Sequence, residues 1–452
     1  MTTMRAVRMV VALAAVNAAL SANAAAQTND DATPFPALQW SFSTPGARAN
    51  GMGGSFIGVA DDASAAVTNP AGLTSLTRMQ IYGEYKNTRL KVDRLAQVDA
   101  LRTLSPTTNT STVNSLSFLS ISSPVGSRVA VGFSVYRFLD YHETFSLAAR
   151  AIPNHPTNNA FRPISGNADF TATAFGGSVA VNVTNALRIG ATVSASQLKA
   201  DSVATRTGII FGATYPIVGT QGNFNDLRSS GIVANETSIH ASEIAVSGSF
   251  GALYKINEMV NVGVTYAKGP KFNSSENLRT NPGFPVTNLT LEQASDFPKP
   301  FTLNVPDHFG VGASVRIRPE LLVAIDAVRT NYSVLSKNTT LIFFPTQLTG
   351  TEFVTPDVTE VHVGAEYNVY NMMGNAIFVR AGVFTNPAHV VTFTGSSDPA
   401  VNASENATYN LLPRKDEVHG TFGVGIALGP RAQIDASYVF TKEFVLSSAI
   451  RF

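Results

Sequence analysis

The chain has 452 residues, with 32 Lys and Arg against 31 Asp and Glu, a formal charge of +1, so nothing in its charge points to nucleic acid. Charged residues make up 14%, well below the roughly 25% of soluble proteins, while hydrophobic residues stay at 44%. That balance fits neither a charged soluble enzyme nor a helical membrane protein, which needs apolar runs of about 20 residues. Cysteine is absent, which removes disulfides, thiolate metal sites, Cys nucleophiles and a lipid-modified N-terminal Cys.

Residues 1–26 read as a secretory signal. Arg5 and Arg8 give a positive start, and Val10 to Leu20 is a short apolar run broken only by Asn17. Ala24-Ala25-Ala26 offers a cleavage site before Gln27, with Ala22-Asn23-Ala24 as the alternative. The run is too short for a spanning helix.

Residues 27–77 do not alternate and form a segment of their own. From residue 78 onward period two dominates, the mark of half-buried strands. Val361, Val363, Ala365, Tyr367 and Val369 share one face, against Glu360, His362, Gly364, Glu366 and Asn368 on the other. Fourteen strands are expected, at about 78–90, 112–123, 128–147, 167–183, 187–204, 239–255, 259–273, 306–318, 321–335, 358–370, 375–386, 417–428, 431–441 and 444–452.

The connections alternate in length. Short ones such as Pro124 to Ser127, Pro319-Glu320 and Gly429-Pro430 interleave with long ones near 91–111, 148–166, 205–238, 274–305, 336–357 and 387–416. Outer-membrane barrels combine short periplasmic turns, longer outer loops and an even strand count. The fold class is therefore all-β, a 14-stranded antiparallel transmembrane barrel in the lipid bilayer of the outer membrane, since only closed barrels or helices satisfy the backbone there. Phe444, Leu446, Ile450 and the terminal Phe452 share a face of the last strand, a terminal aromatic of the kind read by the barrel-assembly machinery.

Strand three carries a conflict of parity. Val129, Val131, Phe133 and Val135 occupy the lipid face, and Arg137 would come next. Tyr136 and Phe138 suggest a switch of face, which needs an extra residue, a bulge near Val135, Tyr136 and Arg137. The alternative is an unbroken strand whose upper half projects beyond the bilayer.

Gly132, Gly190, Gly263, Gly310, Gly312, Gly364, Gly382, Gly423 and Gly425 fall at lumen-facing positions, either to relieve curvature or to make room for an occupant. Asp326, Glu366, Arg380, Arg316 and Asp435 have the same parity. Arg380 or Arg316 would meet a substrate carboxylate. In the other reading these charges brace the wall against Arg48, Asp61 or Asp62. No G-x-S-x-G or H-E-x-x-H is present, the seven His are scattered, and Gly51-Met52-Gly53-Gly54 lacks the Lys of a phosphate loop. No enzyme activity, cofactor or metal is expected; a barrel enzyme with Ser or Asp and His at the rim is the third reading.

The segment 27–77 resembles the hatch of the FadL/TodX family of outer-membrane hydrophobic-compound transporters. The resemblance rests on Gly46-Ala47-Arg48-Ala49, Ala60-Asp61-Asp62-Ala63-Ser64 and Asn69-Pro70-Ala71, in that order. It continues loosely through Pro306-Asp307-His308 to Asp326, and through Arg380-Ala381-Gly382 to Asn386-Pro387. The resemblance implies a plug inside a fourteen-stranded barrel of residues 78–452, passive transport of a long-chain fatty acid or hydrocarbon, and a third strand kinked inward for lateral exit. It implies a landing groove on loops 205–238 and 274–305, where Phe211, Tyr215, Phe297 and Phe301 are candidate substrate contacts; the alternative is that these loops pack on each other. Asn-Pro-Ala-Gly-Leu also occurs in PorV-like barrels of a secretion system, which keeps an interaction barrel as the second reading. A monomer is expected.

Overall fold

The computed structural model describes residues 42, 44–97, 104–147, 150–151, 160–161, 164–210, 228–280, 295–335, 353–408, 415–440 and 442–452. The signal segment, the start of the 27–77 segment, Phe211 and Tyr215 lie outside the described residues.

Fourteen antiparallel strands close into one barrel. They are β1 (Gln80–Gln97), β2 (Leu104–Val125), β3 (Val129–Leu147), β4 (Ile164–Asn182), β5 (Leu187–Ile210) and β6 (Arg228–Lys255). β7 has two parts, Val260–Lys268 and Lys271–Thr280, and so has β8, Ser295–Asn304 and His308–Arg318. Then come β9 (Leu321–Thr330), β10 (Val358–Met372), β11 (Asn375–Asn386), β12 (Glu417–Leu428), β13 (Ala432–Val439) and β14 (Glu443–Arg451). Closure is made by β1 on β14, from Gln80↔Arg451 to Thr88↔Glu443.

The outer face carries the apolar alternation. Val361, Val363, Val424, Ile426, Leu446 and Ile450 are exposed, whereas Glu366, Arg380 and Asp435 on the opposite parity are buried. An apolar exterior over a polar interior is what a bilayer demands of a barrel wall. Among the described residues, no helix is long and apolar enough to cross a membrane.

The strands at the long-loop end run further than expected. β1 reaches Gln97 and β2 starts at Leu104, so most of the expected loop 91–111 is ladder, from Lys91↔Thr110 to Gln97↔Leu104. β5, β6 and β8 are extended in the same way, and Phe297 and Phe301 lie on a strand, not in a loop. The cause is physical: above the bilayer the outer face no longer has to be apolar, so a stretch such as Thr107-Thr108-Asn109-Thr110-Ser111 pairs without the alternation that identifies a membrane strand. β9 stops at Thr330, and the expected continuation to 335 is a 3₁₀ turn, Tyr332–Leu335.

A second body of chain lies inside the wall. Residues 44–77 form two short helices, α1 (Ala47–Gly51) and α2 (Ala65–Thr68), and a 3₁₀ turn, Pro70–Ser75. Ala47, Met52, Phe56, Ala60, Ala63, Ala65, Ala66, Ala71 and Leu73 have no solvent exposure. Helix α3 (Pro399–Thr408) belongs to the connection between β11 and β12.

The turn holding Met373, 92% exposed, belongs to the short-turn end, and α3 with Val401 to the opposite end. Because the chain has no natural Cys, single Cys variants report the orientation. A membrane-impermeant polymer maleimide on intact cells should label Val401→Cys and leave Met373→Cys untouched until the outer membrane is opened. The reverse pattern would invert the topology.

Candidate functional site

The inner segment is held chiefly by its backbone. Its turns satisfy part of its own N–H and C=O groups, as from Asn50 to Gly46 and from Ala60 to Phe56, and inward polar side chains of the wall meet others. The Asp326 carboxylate accepts from the amides of Phe56 and Ile57 at 2.6 and 2.8 Å. Thr421 donates to the Gly51 carbonyl at 3.0 Å, Ser314 to Gly58 at 2.8 Å, Ser120 to Ala63 at 3.1 Å and Thr192 to Ala66 at 2.8 Å. Gln80 accepts from the Ala63 amide at 2.7 Å, Glu84 accepts from Gly46, and His362 Nδ1 donates to the Gly53 carbonyl at 2.7 Å. Each such N–H left bare in the interior would cost about 1–3 kcal/mol.

Close approach explains the glycines. Eight of the nine expected to face the lumen lie against the inner segment. A Cβ on Gly364 would overlap the Met52 carbonyl, one on Gly382 the Gly53 amide, and one on Gly190 the Pro70 carbonyl. On Gly423 it would sit 3.0 Å from the Gly51 Cα. Gly425 instead makes room for Asp435 and Arg380. Room for an occupant is thus the reading that matches the packing.

The residues of the N-terminal motifs are brought together here. Asn69 donates to the Ile57 carbonyl at 3.0 Å and to Ala252 on β6 at 3.2 Å, tying the segment to itself and to the wall. Pro70 and Ala71 pack under Gly190. Arg48 bonds Glu366 at 2.8 Å, pairs with Asp61 and lies 3.7 Å from Asp62. Burial raises the Asp62 carboxyl pKa from its ordinary value against the pull of Arg48.

Arg380 joins the same network. Its guanidinium, fully buried, meets Glu366 and Asp435 at 2.8 Å each. It does not line the cavity above the segment, so the geometry matches the internal ion network and not contact with a substrate carboxylate. Arg316 lies in a separate polar cavity of about 260 Å³ with Arg48, Asp61, Asp62 and Arg451.

Above the segment is a cavity of about 220 Å³. Leu90, Val113, Tyr136, Val328, Tyr332 and Phe384 supply apolar lining, but Lys86, Glu443, Glu360 and His362 line it too. It is not the purely apolar pocket expected of a greasy ligand. Two pairs of these charges face each other: Lys86 lies 3.5 Å from Glu443, and His362 3.3 Å from Glu360. His389 stacks on Tyr332 at 4.1 Å. These lining residues escaped the sequence reading because Lys86, Glu360 and His362 look like any polar inward position. Among the described residues, no cluster of His, Asp and Glu is placed to hold a metal ion.

The cavity reaches the wall at β3. β3 pairs with β2 only from Val129↔Val125 to Tyr136↔Phe118, although both strands run on. At that level each strand is irregular: the β1–β2 register slips past Ser117, and the β3–β4 register slips between Arg137 and Leu139. Inward parity thereby changes from Tyr136 and Phe138 to Leu139 and Tyr141, all buried. Tyr136 and Phe138 therefore face inward and are not the first residues of the switched outer face, which starts with Asp140 and His142. Arg137 pairs with Asp140 at 3.2 Å, and both line the cavity. Gly132 lies below the gap, paired with Ser122 and Ser178 on either side. The side chains of Phe297 and Phe301 are not described.

A closed fourteen-stranded barrel with an apolar exterior, short turns at one end and a segment packed in its lumen defines a transport barrel of the outer membrane. The family model described as outer membrane protein transport protein (OMPP1/FadL/TodX) matches residues 24–449, and the chain belongs to that family. It is an outer-membrane transporter of hydrophobic compounds. Solved structures with the same fold include a Pseudomonas aeruginosa FadL homologue, at 15% identity and TM-score 0.59 over 92% of this chain and 99% of that one. The Ralstonia pickettii toluene transporter TbuX aligns at 15% identity and TM-score 0.55, over 91% and 99%. The P. putida toluene transporter TodX aligns at 13% and 0.58, over 91% and 99%. No curated protein matches the sequence.

Two substitutions separate packing from curvature. Gly382→Leu should push Gly53 off the wall, cost about 1–3 kcal/mol and raise antibiotic sensitivity; Gly177→Leu, with open space around its Cβ, should do neither. Arg380→Ala leaves Glu366 and Asp435 with a lost partner, and about 3–5 kcal/mol of destabilisation is expected. The check is the temperature at which the folded band is lost in gel electrophoresis.

Proposed function

We propose that the chain carries small hydrocarbons inward across the outer membrane by passive diffusion, with residues 27–77 acting as the plug that blocks the straight route. The single observation that carries this reading is the upper cavity, which extends from Tyr332 and Phe384 to Arg137 and Asp140, where the β2–β3 ladder ends. A molecule captured at the outer end enters this cavity and leaves sideways through the gap framed by Val135, Tyr136 and Arg137. Phe211, Tyr215, Phe297 and Phe301 would supply the capture surface. The relatives described as toluene transporters support a hydrocarbon as the substrate class.

Arg48, Asp61, Asp62, Asn69, Pro70 and Ala71 hold the plug in this reading, Arg380 braces it through Glu366, and Arg316 lines the polar cavity beneath. Residues 1–26 are a cleaved signal, and 78–452 the barrel. Phe452, at the end of β14 and 62% exposed, is the handle for the barrel-assembly machinery. Membership of a transport family supports a carrier and not an enzyme, and a closed sheet needs no second subunit to pair its edges.

Ser115 lines the cavity beside the gap, while its neighbour Leu116 faces outward and is 58% exposed. Ser115→Trp should slow uptake of labelled toluene several-fold while the barrel still assembles, and Leu116→Trp should leave it unchanged. Equal uptake by both variants and the wild type would remove the gap from the route.

A further inference from the structure

A second break interrupts the wall, on the far side of β3. β6 and β7 are paired from Lys255↔Asn261 to Gly248↔Lys268, and again from Ser238↔Asn277 to Asn235↔Thr280. Between these ladders, 239–247 of β6 and 269–276 of β7 run without pairing to each other. The break is built into the chain. Pro270 and Pro306 have no N–H to give, and the Gly269 amide, released from the ladder, donates instead to Asp307 Oδ1 at 2.9 Å. Asp307 Oδ2 accepts from Lys268 at 2.7 Å and from the Tyr266 hydroxyl at 3.1 Å. The Val305 amide donates to the Pro270 carbonyl at 3.0 Å, which keeps β7 and β8 joined across the interruption. A Cβ on Gly269 would overlap the Val305 carbonyl.

The level and the lining of the break suit an apolar passenger. Lys268, Asp307 and Tyr266 form a charged and aromatic cluster of the kind that marks the membrane–water boundary. Unpaired backbone there can be met by water, as it could not be in the hydrocarbon core. Beside the break, Ile244 and Val246 point outward at 73 and 74% exposure, more than any other large apolar side chain on a described strand. On the lumen side, Ser247, Gly269 and Pro270 line a cavity of about 100 Å³ that is shared with Val67, Tyr136 and Phe138. Ala241 and Ala245, inward on the unpaired stretch, are small, and Glu243 lies between them at the same parity.

We propose that this break is a second lateral portal, separate from the β2–β3 gap, through which a small apolar molecule passes between the outer leaflet and the lumen. The proposal rests on the hydrocarbon-transport reading above. It assigns Ile244 and Val246 as the outer sill, Ala245 and Ser247 as the throat, and Asp307 as the positioning residue that holds the portal open.

The test uses the full chain in vesicles carrying a phospholipid with a maleimide headgroup. Ala245 and Ser196 are direct cross-strand partners at one level, and Ser196 is fully buried. Ala245→Cys should be labelled at a rate approaching that of outward Val246→Cys, while Ser196→Cys stays unlabelled. Protection of Ala245→Cys equal to that of Ser196→Cys overturns the portal. Ala245→Trp should also lower toluene uptake several-fold in an assembled barrel; unchanged uptake overturns the portal's use. A wild-type protein that takes up no toluene, with Ala245→Cys labelled, overturns the transport reading instead.

Discussion

The structure depends on one arrangement: a stretch of irregular backbone, residues 46–70, whose polar groups left over from its own turns are answered by side chains of the barrel wall. Asp326 beneath the Phe56 and Ile57 amides is its centre. Water would answer these groups in a porin; here the wall does. That requirement explains why the lumen face is rich in Ser, Thr and Gly. The hydroxyls reach carbonyls of the inner segment, and the glycines let backbone approach backbone. A composition that looked merely weakly charged is the composition of a wall shaped around a second piece of chain.

The charges that remain are concentrated where they hold this arrangement. Arg48 and Arg380 share Glu366, one from the inner segment and one from β11, so the network joins the two bodies. Buried pairs of this kind contribute little net stability over an apolar core but make each partner costly to remove. They fix one position of the segment, while the cavity above it mixes aromatic and aliphatic side chains with ion pairs such as Lys86–Glu443 and His362–Glu360. The lumen is thereby divided: a polar, braced lower part and an upper part with Tyr136, Phe138, Tyr141 and Phe170 in one apolar cluster.

Where the sequence was legible, it was because one face had to be apolar. The lower halves of the strands, the inward position of Glu366, Arg380 and Asp435, and the switch of parity in β3 all follow from that demand. Above the bilayer the demand disappears, and so did the signal: residues 104–111 pair as strand without alternation. The break at Gly269-Pro270 and Val305-Pro306-Asp307 carried readable Gly and Pro, yet a ladder gap depends on what the neighbouring strand does, which no local pattern records. The cavity lining was hidden for a similar reason, since Lys86 and Leu90 of β1 and His362 of β10 come from strands far apart in sequence and meet only through closure of the barrel.

The claim that wall side chains satisfy the inner backbone is tested most directly by amide hydrogen exchange of the intact protein in a bilayer, resolved over residues 46–76. The account predicts protection of Ala47, Phe56, Ile57 and Ala63 comparable to that of strand amides, with Phe56 and Ile57 losing it selectively in Asp326→Ala. Exchange of these amides at the rate of an unstructured chain, in a barrel whose strands remain protected, would contradict it.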